Sequence, residues 1–302
     1  MGNKGVLYYI KHDYLLYCML IFPVAYLLIF KYAPLYGIQI AFKDYNIFQG
    51  INESPWNHFE TFKEIFSSRQ FFQAVRNTLV LNGLDLIVGF PAPIILAILL
   101  NELVWTKYKK LSQTILYLPH FLSWVIIGGI VAQLFSPTGM LNSLIVDMGG
   151  DGFPFLTDKY AWVGTYILVG IWQNAGWGTI LYLAAMTGID NHLYEAAEAD
   201  GAGRLRKIWH ITLPGIRPTI VVLMILQLGN IMAINFDRPF NIQNNLVMDY
   251  GDVISTYVYR VGIQSADFSL GTAIGLFQSV ICMIFLLSSN YISRKLGDDG
   301  IW

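Results

Sequence analysis

Two groups of residues have the types and spacing to do chemistry. The first is the stretch from Asp190 to Pro214. Asp190 or Asn191 is suited to cap a helix start. Leu193, Ala196, Ala197 and Asp200 then share one helical face at i, i+3, i+4 and i+7 spacing. Three of these four are small or apolar, so another surface can approach that face closely. Gly201 permits a left-handed turn. A second, basic-amphipathic helix is expected from Arg204 to about Ile211, closed by Pro214. Two short helices about a glycine form a compact knob able to pass a push to the segments on either side. On residue types alone, a basic loop lying on a lipid surface explains the stretch equally well.

The second group is aromatic and amide: Trp172, Gln173, Asn174 and Trp177, then Gln227, Asn230 and Asn235, then Gln278. Aromatic faces with amide partners suit sugar rings, which offer an apolar face and many hydroxyls. Hydrogen bonding between helices accounts for any single one of them equally well. Nucleotide chemistry is excluded more firmly. A phosphate-binding P-loop needs Gly-Lys-Ser/Thr after a glycine-rich turn, and no Gly-Lys dipeptide occurs. No metal ligand set is expected, and Cys18 and Cys282 read as small buried hydrophobes.

The elements that must position these residues are membrane spans. Charged residues make up 13% of the 302-residue chain and apolar ones 55%. Soluble domains carry about 25% charge, so much of this surface must meet lipid. Six segments reach the roughly 20 apolar residues that cross a bilayer: 14–33, 78–100, 111–135, 160–185, 218–235 and 271–291. Only Asp85 and His120 are ionisable well inside them, too few for the relays of an ion-coupled transporter. Pairing with a neighbouring polar group explains Asp85 as well as a relay does. Pro91, Pro93 and Pro119 fall within spans, where neighbouring helices can satisfy the freed carbonyls. Gly128-Gly129, Gly176/Gly178 and Gly271/Gly275 suit close helix packing.

Basic residues set the orientation. With the N-terminus inside, segments 1–13, 101–110, 186–217 and 292–302 are cytoplasmic. They hold eleven of the 19 Lys and Arg residues, among them Lys4, Lys11, Arg204, Arg206 and Lys207. Both termini are then cytoplasmic. Segment 36–77 is external and includes a surface helix, His58 to Ser67, with Phe59, Phe62, Ile65 and Phe66 at helical spacing. A further external segment, about 236–270, is rich in Asn, Asp and Tyr.

The knob carries a resemblance. Glu195-Ala-Ala, Gly201 and Ile211-Thr-Leu-Pro214 at these spacings resemble the EAA loop of permease subunits of binding-protein-dependent ABC importers. Phe22-Pro23, Ala41–Tyr45, Arg76-Asn-Thr78 and Tyr117–Phe121 look like the sugar-permease, maltose-type branch. The resemblance implies an all-α polytopic fold of type I permease kind, with six transmembrane helices over 14–291 in a bacterial cytoplasmic membrane. It implies a non-catalytic subunit importing sugars, as oligosaccharides or glycan fragments, by alternating access. A non-sugar solute is the alternative, with ion-coupled transport a remote one. Implied partners are a second six-span permease, two ATPase subunits holding ATP and Mg, and an extracellular or lipid-anchored solute-binding protein, with lipid around and no nucleic acid. No cofactor is implied for this chain itself. Carried onto these positions, Glu195, Ala196 and Ala197 contact an ATPase, Gly201 makes the turn, and Leu213-Pro214 re-enter the membrane.

Overall fold

The computed structural model describes residues 12–295 together with 297, 300 and 301. Lys4 and Lys11, assigned to the cytoplasmic start, lie outside them, as does part of the tail 292–302. The described residues are all-α: they contain no strand, and one isolated bridge pairs Lys43 with Trp56. In hydrocarbon a backbone must satisfy its own polar groups, which helices do within one segment. The helices that matter below are α1 Tyr14–Leu27, α2 Arg69–Leu84, α3 Pro91–Asn101, α4 Thr106–Tyr117, α5 Trp124–Phe135, α6 Lys159–Thr187, α7 Asn191–Ala199, α8 Leu213–Gly229, α9 Asp237–Ile242 and α10 Phe268–Lys295.

Among the described residues, five helical stretches are long and apolar enough to cross a membrane: Tyr14–Phe42, Arg69–Asn101, Trp124–Asp147, Arg204–Gly229 and Phe268–Lys295. The chain is thus a polytopic membrane protein, but its count differs from the six expected. The missing one is 160–185. It lies within the 29-residue α6, which is long enough but diluted by Gln173, Asn174, several glycines and threonines. The expected span 111–135 is also not one helix. It breaks after Tyr117, where Leu118–Phe121 form a 3-10 turn and Ser123 caps α5 through Ile126 N–H. Pro119 supplies the reason, since it lacks a donor and restricts the residue before it. The span expected at 218–235 starts earlier and ends at Gly229, and the expected surface helix is shorter, Glu60–Ser67.

Two prolines are accommodated inside continuous helical stretches by the same device. A π-turn at Asp85–Gly89 precedes Pro91, with Phe90 N–H donating to Asp85 O at 2.8 Å. Another at Ile208–Thr212 precedes Pro214. A wider turn absorbs the missing donor. Pro214 therefore does not close a helix as the sequence suggested; it is the second residue of α8.

The chain divides into two compact units: the described residues up to 65 with 261–276, and 66–260 with the described residues from 277 onward. In the first, α1 buries no residue, so Cys18 is exposed rather than buried. Lys43, by contrast, is buried. Its Nζ donates to Ile51 O at 2.5 Å and lies 4.8 Å from the Trp56 ring. Ser269 Oγ donates to Lys43 O at 2.8 Å and accepts from Tyr45 N–H at 3.0 Å. Phe42 packs on Phe62, with centroids 5.2 Å apart.

In the second unit, α6 is the central helix, and α3 lies along it as its main neighbour. Asp158 caps its start by accepting from Tyr160 and Ala161 N–H. One apolar cluster is built on Trp162, Tyr166, Ile167 and Val169 of α6 with Leu81, Ile127 and Val253. A second cluster joins Tyr182 and Met186 to Ala97 and Ile216. Gly176 lies so close to the Leu116 carbonyl that a Cβ there would collide with backbone. Gly176→Val is therefore expected to cost about 1–3 kcal/mol of stability by overpacking. Thermal unfolding of the purified protein in detergent checks this; an unchanged midpoint would refute the close approach.

Candidate functional site

The knob begins where α6 ends. Asp190 Oδ1 accepts from His192 N–H at 2.9 Å, capping α7. At the far end Gly201 N–H donates to Glu198 O at 3.0 Å and Ala202 N–H to Ala197 O at 2.8 Å. These two bonds with Gly201 at φ +74° make a Schellman stop. The chain then turns helical again at Arg204 and continues through the π-turn into α8.

Two cross-ties fix α7 against this second arm. Lys207 Nζ donates to Glu198 Oε1 at 2.5 Å. That hydrogen bond and charge hold the Glu198 carboxyl below its usual value. Tyr194 OH lies 3.0 Å from the buried Thr212 Oγ1. At the base, Leu213 and Ile189 pack on the cluster of Tyr182, Met186 and Ile216. The elbow is thus anchored to both α6 and α8.

Its outer face is uncovered among the described residues. Leu193, Glu195, Ala196 and Asp200 are exposed, Ala197 is half-buried, and Glu195 touches only His192, at 3.3 Å, among the contacts of its carboxylate. Leu205 and Trp209 are exposed as well. Apolar side chains held outward on a braced frame form a surface that a protein partner can cover. The expected coupling residues Leu193, Glu195, Ala196, Ala197, Asp200 and Gly201 therefore lie on one element. Leu213 serves the anchor and Pro214 is exposed just beyond it.

The aromatic and amide group is brought together only in part. Adjoining cavities run along the inner wall of α6. One, of about 370 Å³, is bounded by Asp85, Phe90, Pro93, Asn174, Gln227 and Arg238. Its neighbour, about 430 Å³, shares Asp85, Asn174 and Arg238 and adds His120, Gln173 and Asn235. A third, about 260 Å³, continues past Gln227 to Asn230. Five of the eight expected residues thus line this row of adjoining cavities, hereafter the path. Trp172, Trp177 and Gln278 do not line it. Trp172 is half exposed, Trp177 stacks on the His120 ring at 4.6 Å, and Gln278 is part-buried on α10. At about 100° per residue Trp172 falls nearly opposite Asn174, whereas Trp177, three residues on, shares its side of α6 and is taken up by the His120 ring.

One residue of this path escaped sequence reasoning. Arg238 sits on α9, in a segment expected to be external, yet its side chain reaches Asp85. Nη1 donates to Asp85 Oδ2 at 2.6 Å, and Nη2 to Asp85 Oδ1 at 3.3 Å and to Tyr166 O at 2.6 Å. Its Cζ lies 3.8 Å from the Tyr166 ring centre. Gly170 leaves room for the guanidinium; a Cβ there would overlap it. The signal was Asp85 itself, a lone acid in a span that needed a cation. Asn82, one turn before Asp85, donates to Ile231 O at 2.6 Å and ties α2 to the end of α8.

Removing either member of this part-buried pair leaves the other without its partner. Asp85→Ala or Arg238→Ala is expected to lose about 1–3 kcal/mol, and the double variant less than the sum of both. Unfolding of the four proteins in detergent measures the coupling; strict additivity would mean that the pair does not interact.

Residues 71–298 match the family described as "Binding-protein-dependent transport system inner membrane component". Protein LplB of Bacillus subtilis (strain 168) is 45% identical over 304 residues, covering 100% of this chain and 96% of that one. The polygalacturonan/rhamnogalacturonan transport system permease protein YteP of the same organism is 43% identical over 288 residues, covering 95% and 90%. Among solved structures, a chain of a bacterial alginate ABC transporter in complex with alginate pentasaccharide-bound periplasmic protein superposes with a TM-score of 0.90 at 41% identity, covering 99% of this chain and 100% of that one.

Proposed function

This chain belongs to the family of binding-protein-dependent transport system inner membrane components, and from that premise we propose that it is a permease subunit of an ATP-driven importer of oligosaccharides or glycan fragments. The substrate passes along the polar path beside α6, where Gln173, Asn174, Gln227, Asn230 and Asn235 offer amides to sugar hydroxyls. Two similar proteins handle polyuronates, polygalacturonan and alginate, which supports a carbohydrate substrate. A second permease subunit completes the path, and a solute-binding protein delivers the glycan from outside. With the 29-residue α6 taken as the sixth crossing, both termini and the elbow face the cytoplasm.

The energy comes from elsewhere. As a member of this family the chain is a non-catalytic membrane component; ATP and Mg sit on separate ATPase subunits. One of them grips the exposed face of α7. The observation that carries this reading is the braced elbow: an outward face without cover among the described residues, cross-tied by Glu198–Lys207 and Tyr194–Thr212, and rooted between α6 and α8. A push on α7 cannot be lost in loop flexing, so it turns both helices. Alternating access follows as the ATPase pair closes and opens.

The elbow's single left-handed residue is the place to test this. Valine at φ +74° is strained by roughly 1–2 kcal/mol, and no neighbour lies within 4 Å to add a clash. Gly201→Val is therefore expected to leave the protein in the membrane with its partners' nucleotide sites intact, while abolishing glycan uptake in reconstituted vesicles. Uptake at the unaltered rate would refute the coupling role.

A further inference from the structure

We propose that Arg238 is a specificity-determining residue of the path: it receives the carboxylate of an acidic glycan unit on its Nε side, while Asp85 holds its other edge. The inference rests on the carbohydrate reading above and deepens it by assigning the charge of the sugar.

Arg238 lines both of the larger cavities, beside amides that carry no charge. Its contacts to Asp85 and the Tyr166 carbonyl engage Nη1 and Nη2. Nε is buried and has no hydrogen-bond partner among the described residues. The same is true of Tyr166 OH and His120 Nδ1, and both residues line the same 430 Å³ cavity. Buried polar atoms almost always find partners. Three unmet atoms belong to side chains that line one cavity and are closed off from it in this conformation, a reserve of hydrogen-bonding capacity suited to an oxygen-rich guest. Small rotations of these side chains, as a guest enters, bring their polar atoms onto it.

The guanidinium decides which guest. It is planar, always charged, and shaped to hold carboxylate oxygens, whereas amides read hydroxyls without regard to charge. Asp85 makes the arrangement tunable. With no guest, an uncompensated cation between α2, α6 and α9 would be costly, and Asp85 neutralises it. When a uronate enters, two anions share one cation. Asp85 thus positions Arg238 and at the same time weakens its hold on the incoming carboxylate, which favours release during transport over tight capture. The two partners therefore have opposite effects on acid binding, which a purely structural pair would not have.

The test uses the purified transporter complex in lipid nanodiscs without the solute-binding protein, so that no preference is imposed upstream. Binding of trigalacturonate and of its carboxyl-reduced neutral counterpart is measured by calorimetry. The wild-type complex is expected to prefer the acidic probe. Arg238→Gln should lower that preference about tenfold or more, the size expected for losing a charged hydrogen bond. Asp85→Asn should raise affinity for the acidic probe. The exchanged pair, Asp85→Arg with Arg238→Asp, restores assembly but not the preference, which covers the case in which a single variant fails to fold. Arg238→Gln with an unchanged preference, or Asp85→Asn weakening both probes alike, would overturn the assignment. Equal wild-type binding of both probes overturns it while leaving the carbohydrate reading intact. Binding of neither probe removes that reading and this one together.

Discussion

Close approach to α6 sets the distances in the second unit. Gly176 lets the Leu116 carbonyl of α4 come against the helix backbone, Gly178 receives the Pro93 ring of α3, and Gly170 leaves room for the Arg238 guanidinium. In a bilayer, helices gain nothing from hiding apolar surface from water, because lipid is as apolar as leucine. Association then depends on backbones coming near enough for dispersion contacts and a few hydrogen bonds. The cavities follow from the same geometry. Gly170, Ala175 and Gly178 also line the first cavity, so the small residues that admit α3 and α9 leave open space beside them.

This packing also links the path to the elbow. Tyr182 and Met186 lie two to three turns beyond Asn174 on the same helix, and they meet Ile216 of α8 with Ile189 and Leu213 beside them. A rigid helix thus has polar path at its middle and a mechanical root at its end. The ties Glu198–Lys207 and Tyr194–Thr212 make α7 move with that root. The surface pair Glu198–Lys207 contributes little to stability because solvent screens it; its role is to fix an angle. The part-buried Asp85–Arg238 pair is less exposed than that one, so loss of one partner is felt more.

The elbow was legible because its rules are local. Capping, a glycine stop and a one-sided helix are written over a dozen consecutive residues, and Asp190, Gly201 and Leu193 to Asp200 adopt the conformations their types favour. The amides of the path were half legible. Gln173 and Asn174 are polar in an apolar run, which marks them, but adjacent residues on a helix point in different directions. Which of Trp172, Asn174 and Trp177 faces the cavity depended on how α6 rotates against α3. Pro119 and Pro214 illustrate the same limit. The first breaks its helix, and the second rides through on a π-turn. Local sequence gives the missing donor but not the backbone solution its neighbours allow.

The amino-acid chain by itself determined that this is an all-helical membrane protein with a glycine-jointed elbow between two spans, since hydropathy and capping act between residues close in sequence. Tertiary structure alone decided that Arg238, 153 residues from Asp85, closes an ion pair with it. It alone decided which amides share a wall, and that α6 is the central helix of the second unit. Those outcomes depend on side-chain direction and helix rotation, which are set when helices meet and are not encoded in any single stretch.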